Sequence, residues 1–318
     1  MTTLLKPPSV GAGAGVSIVA PASFAMPERT ERGIEALRKL QFTPRTGRHA
    51  LGHGPLYFAG EPAQRLADLH AAFTNKSTRM VAALRGGYGS NYLLEKLDLR
   101  LIARNPKPFF AYSDLTGLQL LLLDKVGLPA FHGPMVAADF DSEDGVHLPS
   151  FRAALAGEPY TVGAAEGLRI LKRGSTRGLA RGSARGTLYG GCLSILAALA
   201  GTPFEPKTEG KILFLEDTGV KPYQVDRLLW QLRQAGKFNR ARGIVFGEMT
   251  DCVSPGAPAD LLEQTILHVF RDMDIPIAIG LRSGHVSRQN VTLIFGIKAE
   301  LDLGGEPQLR LIEPAVAL

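Results

Sequence analysis

Three short stretches carry the residue types from which a hydrolytic site could be built. RGGYGSNYLL, from Arg85, follows an apolar strand-like run and opens a helical pattern. Gly86, Gly87 and Gly89 therefore fall where the backbone must turn sharply, with Ser90 at the turn. ILFLEDTG, from Ile212, ends an apolar strand in Glu216 and Asp217, where carboxylates of α/β domains often face a crevice. LRSGHVSRQN, from Leu281, holds His285 in a glycine-flanked loop. Acyl transfer by a serine needs a histidine base and a carboxylate to orient it. The chain order Ser90, Glu216, His285 is compatible with one of the orders in which such sets occur.

Other chemistries fit these stretches less well. A phosphate-binding P-loop would end in Gly-Lys-Ser/Thr, whereas Ser90 and Asn91 follow Gly89; a dinucleotide fingerprint would need glycine at position 92, which is Tyr92. The architecture left is a serine elbow followed by helix-N-terminal N–H groups, although it is not G-x-S-x-G. Local pattern alone leaves plainer roles open: a helix N-cap for Ser90 and turn carboxylates for Glu216 and Asp217. Successive strand residues face opposite ways, so one of those two carboxylates faces the crevice and the other points away. Seven histidines are present: His268 lies in a helical pattern, His49 and His53 in a basic, glycine-rich loop, and His132 in AFHGPM is a rival to His285. Two cysteines, Cys192 and Cys252, make neither a disulfide framework nor a four-thiolate zinc site, and no metal or cofactor is expected.

The elements that must position these residues follow from periodicity. Up to about residue 149, strand-like runs (VSIVA from Val16, MVAAL from Met80, PFFA) alternate with helical segments, among them PERTERGIEALRKL, AQRLADLHAAF, NYLLEKLD and LTGLQLLLLDKV. Such alternation predicts a mainly parallel sheet with helices on its faces, a Rossmann-like α/β domain over 16–149 after a tail at 1–15. From 150 to 189 the period dissolves, and LKRGSTRGLARGSARG is expected to be a linker. From 190 to 318, helices (LSILAALAG, VDRLLWQLRQAG, LLEQTILHVF) and strands (ILFL, GIVFG) give way to short β pieces, predicting a mixed α/β, β-containing C-terminal domain.

Composition bounds the function. The 318 residues include 36 Lys+Arg and 30 Asp+Glu, a net +6, with 45% hydrophobic residues, which is ordinary globular composition. The basic residues are scattered, so a solvated surface is expected rather than a nucleic-acid partner. The glycine-broken N-terminal stretch predicts a buried strand at Val16–Ala20 rather than a signal peptide, and no apolar run approaches the ~18 residues of a membrane span. A cytoplasmic protein with no membrane partner is expected.

Seven blocks in order, RGGYGSNYLLEKLD, FFAYSDLTGL, FHGPM, YGGCLSILAALAGTPFEP, ILFLEDTGVKPYQVDRLLWQL, GIVFGEMTDC and SGHVSRQNVTLIFG, resemble the LD-carboxypeptidase (muramoyltetrapeptide carboxypeptidase) family over nearly the whole chain from Val16. The resemblance implies a Ser90 nucleophile, a His285 base and a Glu216 that orients it, with the site between the two domains. It implies a serine carboxypeptidase that removes terminal D-alanine from a murein tetrapeptide in cell-wall recycling. Backbone N–H groups of Gly87 and Asn91 are the expected oxyanion donors, and Arg85 the expected contact for a substrate carboxylate. The family commonly has Asn at the position of Cys192, Glu at Val220 and Pro at Ile294, which bears on substrate rather than on the triad. The expected partners are a murein peptide and a second copy of the chain. The alternative is a microcin C self-immunity type of peptidase, acting on aminoacyl-nucleotide amides and stacking an aromatic residue on the base. Trp230, inside the helical VDRLLWQL, is expected in the core and so does not suit that role.

Overall fold

The computed structural model describes residues 3–175 and 180–317. In chain order the first part holds β1 (Gly15–Val19), α1 (Pro27–Lys39), β2 (Thr43–Thr46), α2 (Pro62–Thr74), β3 (Met80–Ala83), α3 (Leu99–Ala103), β4 (Phe109–Ala111), α4 (Thr116–Val126), β5 (Ala130–His132) and α5 (Leu148–Ala156). Then follow β6 (Tyr160–Gly163), β7 (Arg169–Lys172), β8 (Ser183–Cys192), α6 (Leu193–Leu199), β9 (Lys211–Glu216), α7 (Pro222–Gln234), β10 (Gly243–Gly247), α8 (Leu261–Val269), β11 (Ile277–Leu281), β12 (Leu293–Phe295), β13 (Lys298–Asp302) and β14 (Gln308–Leu311).

These elements form two compact units, one of residues 3–158, 288–296 and 314–317, the other of 159–175, 180–287 and 297–313. The first unit's sheet runs β12-β5-β4-β3-β1-β2. All its pairs are parallel except β5 with β12. The strands inside its edge β2 are short apolar runs buried on both faces, as parallel sheets require, whereas β2 (TPRT) is largely exposed; α4 is buried along most of its length. The order 2-1-3-4-5 reverses direction between β1 and β3, the switch point beyond whose carboxyl ends doubly wound sheets bind ligands.

The second unit's eight-stranded sheet runs β6-β14-β13-β8-β9-β10-β11-β7. Its middle is parallel, β8 to β11, and antiparallel strands flank it on both sides. Helix α7 turns Val225, Leu229 and Leu232 inward at i, i+4 and i+7.

Several expectations are corrected. The stretch 150–189 is no linker among its described residues: it holds most of α5, then β6, β7 and most of β8, and residues 176–179 lie outside the described residues. Its strands escaped notice because β7 is a short, half-exposed edge strand, and the first half of β8 alternates polar and small residues. The described part of 1–15 is no loose tail, since Ser9 donates to the Ala317 carbonyl and Val10 is buried. The 190–318 block is not one domain, because β12 and the last residues belong to the first unit's sheet and body. NYLLEKLD is a 3₁₀ helix over Ser90–Lys96, after which the Asp98 side chain caps a fresh start at α3. Trp230 is 41% exposed with Arg233 over its ring, since it sits one residue, about 100°, past the buried Leu229 on α7.

Candidate active site

The Ser90 turn lies beyond the carboxyl end of β3, at the switch point with β1. Gly87 and Gly89 take left-handed backbone with φ of 105° and 117°. A side chain on either would collide: a Cβ at Gly87 would lie 2.4 Å from Ser23 Oγ, and one at Gly89 would lie 2.5 Å from the Phe58 ring. Ser23, in the loop after β1, accepts the Tyr88 N–H at 3.1 Å and so ties the two switch-point loops together. Arg65 of α2, buried, donates through Nη1 to the carbonyls of Pro21 and Gly89. Ser90 itself is 2% exposed. Its N–H donates to Asp114 Oδ2 at 2.8 Å and its hydroxyl to the Asp114 carbonyl at 2.7 Å. Burial raises the Asp114 carboxyl above the ordinary aspartate range, and the bonds from Ser90 and Gly89 and the charge of Arg65 act against that rise. Asp114 had a signal in the sequence, an acid just past an apolar strand, but no role was read for it; Ser23 and Arg65 had none.

The second unit supplies the other residues. Glu216 ends β9, fully buried, and its Oε2 accepts both the backbone N–H of His285 at 3.0 Å and its Nδ1 at 2.7 Å. His285 follows β11, so the carboxylate reaches across the end of β10. Gly247 makes that crossing possible, because a Cβ there would lie 2.6 Å from Glu216 Cβ. Gly284 (φ 87°) completes the fit: its Cβ would lie 2.5 Å from Glu216 Cδ. Two bonds to one carboxylate hold the imidazole in the tautomer with the proton on Nδ1, leaving Nε2 as the basic nitrogen. Nearby, Glu248 accepts from the Ser287 N–H and hydroxyl at 2.9 and 2.6 Å and braces the same loop.

Asp217, one residue on, turns the other way. Its Oδ2 accepts the Ser194 N–H and hydroxyl at 2.8 and 2.6 Å, capping the start of α6, and Oδ1 accepts the Thr218 N–H. Burial raises its pKa, and the Glu216 charge adds to this while the Ser194 bonds oppose it. Cys192 stands beside Glu216 across β8 and β9, and burial with the two neighbouring carboxylates pushes its thiol well above the usual range. Such a thiol stays protonated and is a poor nucleophile.

The structure therefore brings Glu216 and His285 together and sends Asp217 elsewhere. The rival His132 is buried in the first unit between the rings of Tyr112 and Phe295. Arg85, exposed, and Gly87 and Asn91 flank Ser90 as their numbers require. A cavity of about 460 Å³ opens near Glu209, Arg240 and Arg242, at the amino ends of β9 and β10 and away from the Glu216 end. Among the described residues, no three His, Cys, Asp or Glu side chains form a metal-holding group, and no helix is long and apolar enough to cross a membrane.

Comparison with known proteins agrees with the fold and the motifs. Residues 16–133 match the LD-carboxypeptidase N-terminal domain and residues 185–301 the C-terminal domain. The chain is 35% identical to the probable murein peptide carboxypeptidase of Bacillus subtilis (strain 168), over 93% of this chain and 91% of that one. The crystal structure of muramoyltetrapeptide carboxypeptidase from Oxalobacter formigenes superposes with a TM-score of 0.80 at 30% identity, covering 94% of this chain and 99% of that one. The microcin C7 self immunity protein MccF shares the fold, with a TM-score of 0.88 at 23% identity over 98% of this chain and 100% of that one. The chain belongs to the LD-carboxypeptidase family, and it is a serine peptidase.

Proposed function

We propose that this protein is a metal-independent serine carboxypeptidase that removes the terminal D-alanine of a murein tetrapeptide. The observation that carries the proposal is the buried Glu216 carboxylate bound twice to His285, the arrangement a general base needs. Ser90 Oγ attacks the carbonyl preceding D-alanine while its proton passes to His285 Nε2. The C–N bond then breaks, His285 returns the proton to the departing amine, and D-alanine leaves. Water, deprotonated by His285, attacks the acyl-serine and releases the tripeptide and Ser90. For the first step the Ser90 hydroxyl must leave the Asp114 carbonyl, a rotation about one bond. The Gly87 and Asn91 N–H groups are the proposed oxyanion donors; Ser90's own N–H is engaged by Asp114. Arg85 is the proposed partner of the substrate's carboxylate. Peptidoglycan recycling in the cytoplasm is the setting such a substrate implies.

A second reading comes from the fold shared with MccF, which is solved with aspartyl sulfamoyl adenosine. It would have the same residues cleave an aminoacyl-nucleotide amide. The exposed Trp230 does not weigh against it as a core residue would.

The test offers purified protein murein tetrapeptide and an aminoacyl sulfamoyl adenosine side by side. Release of D-alanine, unaffected by chelator and lost by at least about 10³-fold in a folded Ser90→Ala variant, supports the proposal. Turnover of the nucleotide alone favours the second reading, and Ser90→Ala activity within a few-fold of the parent removes Ser90 from the mechanism.

A further inference from the structure

The turn after β4 carries a buried carboxyl to which the proposed reaction gives no role. Residues 112–115 leave the carboxyl end of β4, and residues 85–90 leave that of its parallel neighbour β3. The two turns fit closely: a Cβ at Gly86 would lie 2.7 Å from Ser113 Cβ and 2.9 Å from its Oγ. Ser113 holds a left-handed φ of 64°. Residues other than glycine rarely adopt that conformation, and it persists only where the surroundings impose it. The residue this backbone delivers is Asp114, 5% exposed. Its carboxyl accepts the N–H groups of two successive residues, Gly89 and Ser90, the second at 2.8 Å. Its carbonyl accepts the Ser90 hydroxyl at 2.7 Å.

These bonds converge on the nucleophile rather than on the turn at large. The peptide group joining Gly89 to Ser90 is held at its oxygen by Arg65 Nη1, at 2.8 Å, and at its hydrogen by Asp114, so it cannot flip. Successive N–H groups in a turn form a concavity that suits an anion, which is why a carboxylate serves there. The side chain is held in another way. A carbonyl accepts the hydroxyl's hydrogen bond but cannot take its proton, so it sets the rotamer without activating the oxygen. We infer that Asp114 is a positioning residue for Ser90: its carboxylate locks the peptide group, and its carbonyl parks the hydroxyl in a resting rotamer one rotation from attack. The inference rests on the proposed role of Ser90 and states how the chain sets that oxygen in place.

The test measures kcat and KM on murein tetrapeptide for wild type, Asp114→Ala and Asp114→Asn, with the rate at which a fluorophosphonate labels Ser90. The Asn side chain keeps an oxygen that can take the Ser90 N–H, and Ala does not. Asp114→Ala is expected to lower kcat about 10²-fold with KM nearly unchanged, the cost of misplacing a reacting atom by about an ångström. Asp114→Asn recovers most of that loss, and labelling rates follow the same order. A kcat within a few-fold of wild type in Asp114→Ala, a loss that sits in KM, or an Asn variant as slow as Ala overturns the inference. Should Asp114→Ala fail to fold, the Ser90 amide proton decides by NMR. It must shift as a carboxyl titrates in wild type and lose that shift in Asp114→Asn; an amide blind to the carboxyl overturns the anchor. If wild type is labelled at Ser90 yet releases no D-alanine, the substrate reading fails separately and the labelling rates alone decide the positioning role.

Discussion

Two histidines in this chain are clasped by a carboxylate in nearly the same way, one in each unit. Glu216 receives the backbone N–H and Nδ1 of His285; Asp68 of α2 receives the backbone N–H of His49 at 2.7 Å and its Nδ1 at 2.9 Å. Each carboxylate is buried, each imidazole keeps part of its surface exposed (22% and 27%), and each clasp is closed by a glycine whose Cβ would strike the acid. Bond geometry therefore does not separate a catalytic dyad from a structural one. Position does. Glu216 ends a central parallel strand, and His285 follows its second neighbour, so both lie where a sheet opens toward ligands. Asp68 lies mid-helix, and His49 opens the loop that carries Leu56, Tyr57 and Phe58. In the proposed reaction the first clasp orients the base, whereas the second pins a loop.

The largest expected effect tests that division directly. Glu216→Gln keeps the fold but offers an amide to His285 and lowers kcat by about 10³–10⁴-fold, as loss of a triad carboxylate does. Asp68→Asn and Asp217→Asn leave kcat within a few-fold and lower the thermal midpoint instead. Steady-state rates and melting curves on the three variants check this. An Asp68→Asn enzyme as dead as Glu216→Gln would erase the distinction, and a dead Asp217→Asn with an active Glu216→Gln would move the orienting role by one residue.

The glycines give an intermediate effect. Gly284→Ala puts a Cβ 2.5 Å from Glu216 Cδ at a left-handed φ, so both the backbone and the dyad must shift. Activity falls about 10²-fold, the cost of an ångström's misplacement, and stability by roughly 1–3 kcal/mol. Gly47→Ala meets Asp68 Oδ2 at 2.6 Å without that backbone strain. It lowers the midpoint and spares the chemical step, which single-turnover kinetics and calorimetry resolve.

The smallest effect comes from a third histidine, with the opposite bonding role. His70 Nε2 accepts the Asp98 N–H at 3.0 Å, and burial lowers its pKa below the ordinary 6.5, against the pull of Asp98. The native state thus resists a proton that the unfolded chain accepts. Its contribution is complete above pH 6.5 and is lost as pH falls below it. His70→Gln should flatten the decline in thermal midpoint between pH 7.5 and 5.5 by about 1–2 °C. An unchanged decline would show that other groups set it.

How much of this was legible in the sequence differs between the clasps for the same reason. An acid at the end of ILFL and a histidine just after Gly284 are local signals that made Glu216 and His285 candidates, while their choice over Asp217 and His132 rests on the resemblance to the family. The His49–Asp68 clasp gave none, as Asp68 lies in an ordinary amphipathic helix and its partner arrives from 19 residues away. The parallel core strands were legible as apolar runs. β7 and the outer half of β8 were not, because half-exposed strands need no apolar period and take their register from neighbours distant in sequence. Trp230 lies in a helical segment but on its exposed face, about 100° past the buried Leu229, and only the helix's packing decides which face that is.

The return of β12 to the first sheet has a consequence for how the chain is made. β5 is left an open edge until Leu293–Phe295 pair with it, so the first unit cannot complete its sheet until all but the last two strands of the second have been synthesised. During translation that edge offers unpaired backbone to any neighbouring chain, which is the exposure that drives aggregation of nascent chains. Cutting the gene after residue 158 would make the exposure permanent, so the unit that holds Ser90 completes its sheet only with residues synthesised after His285.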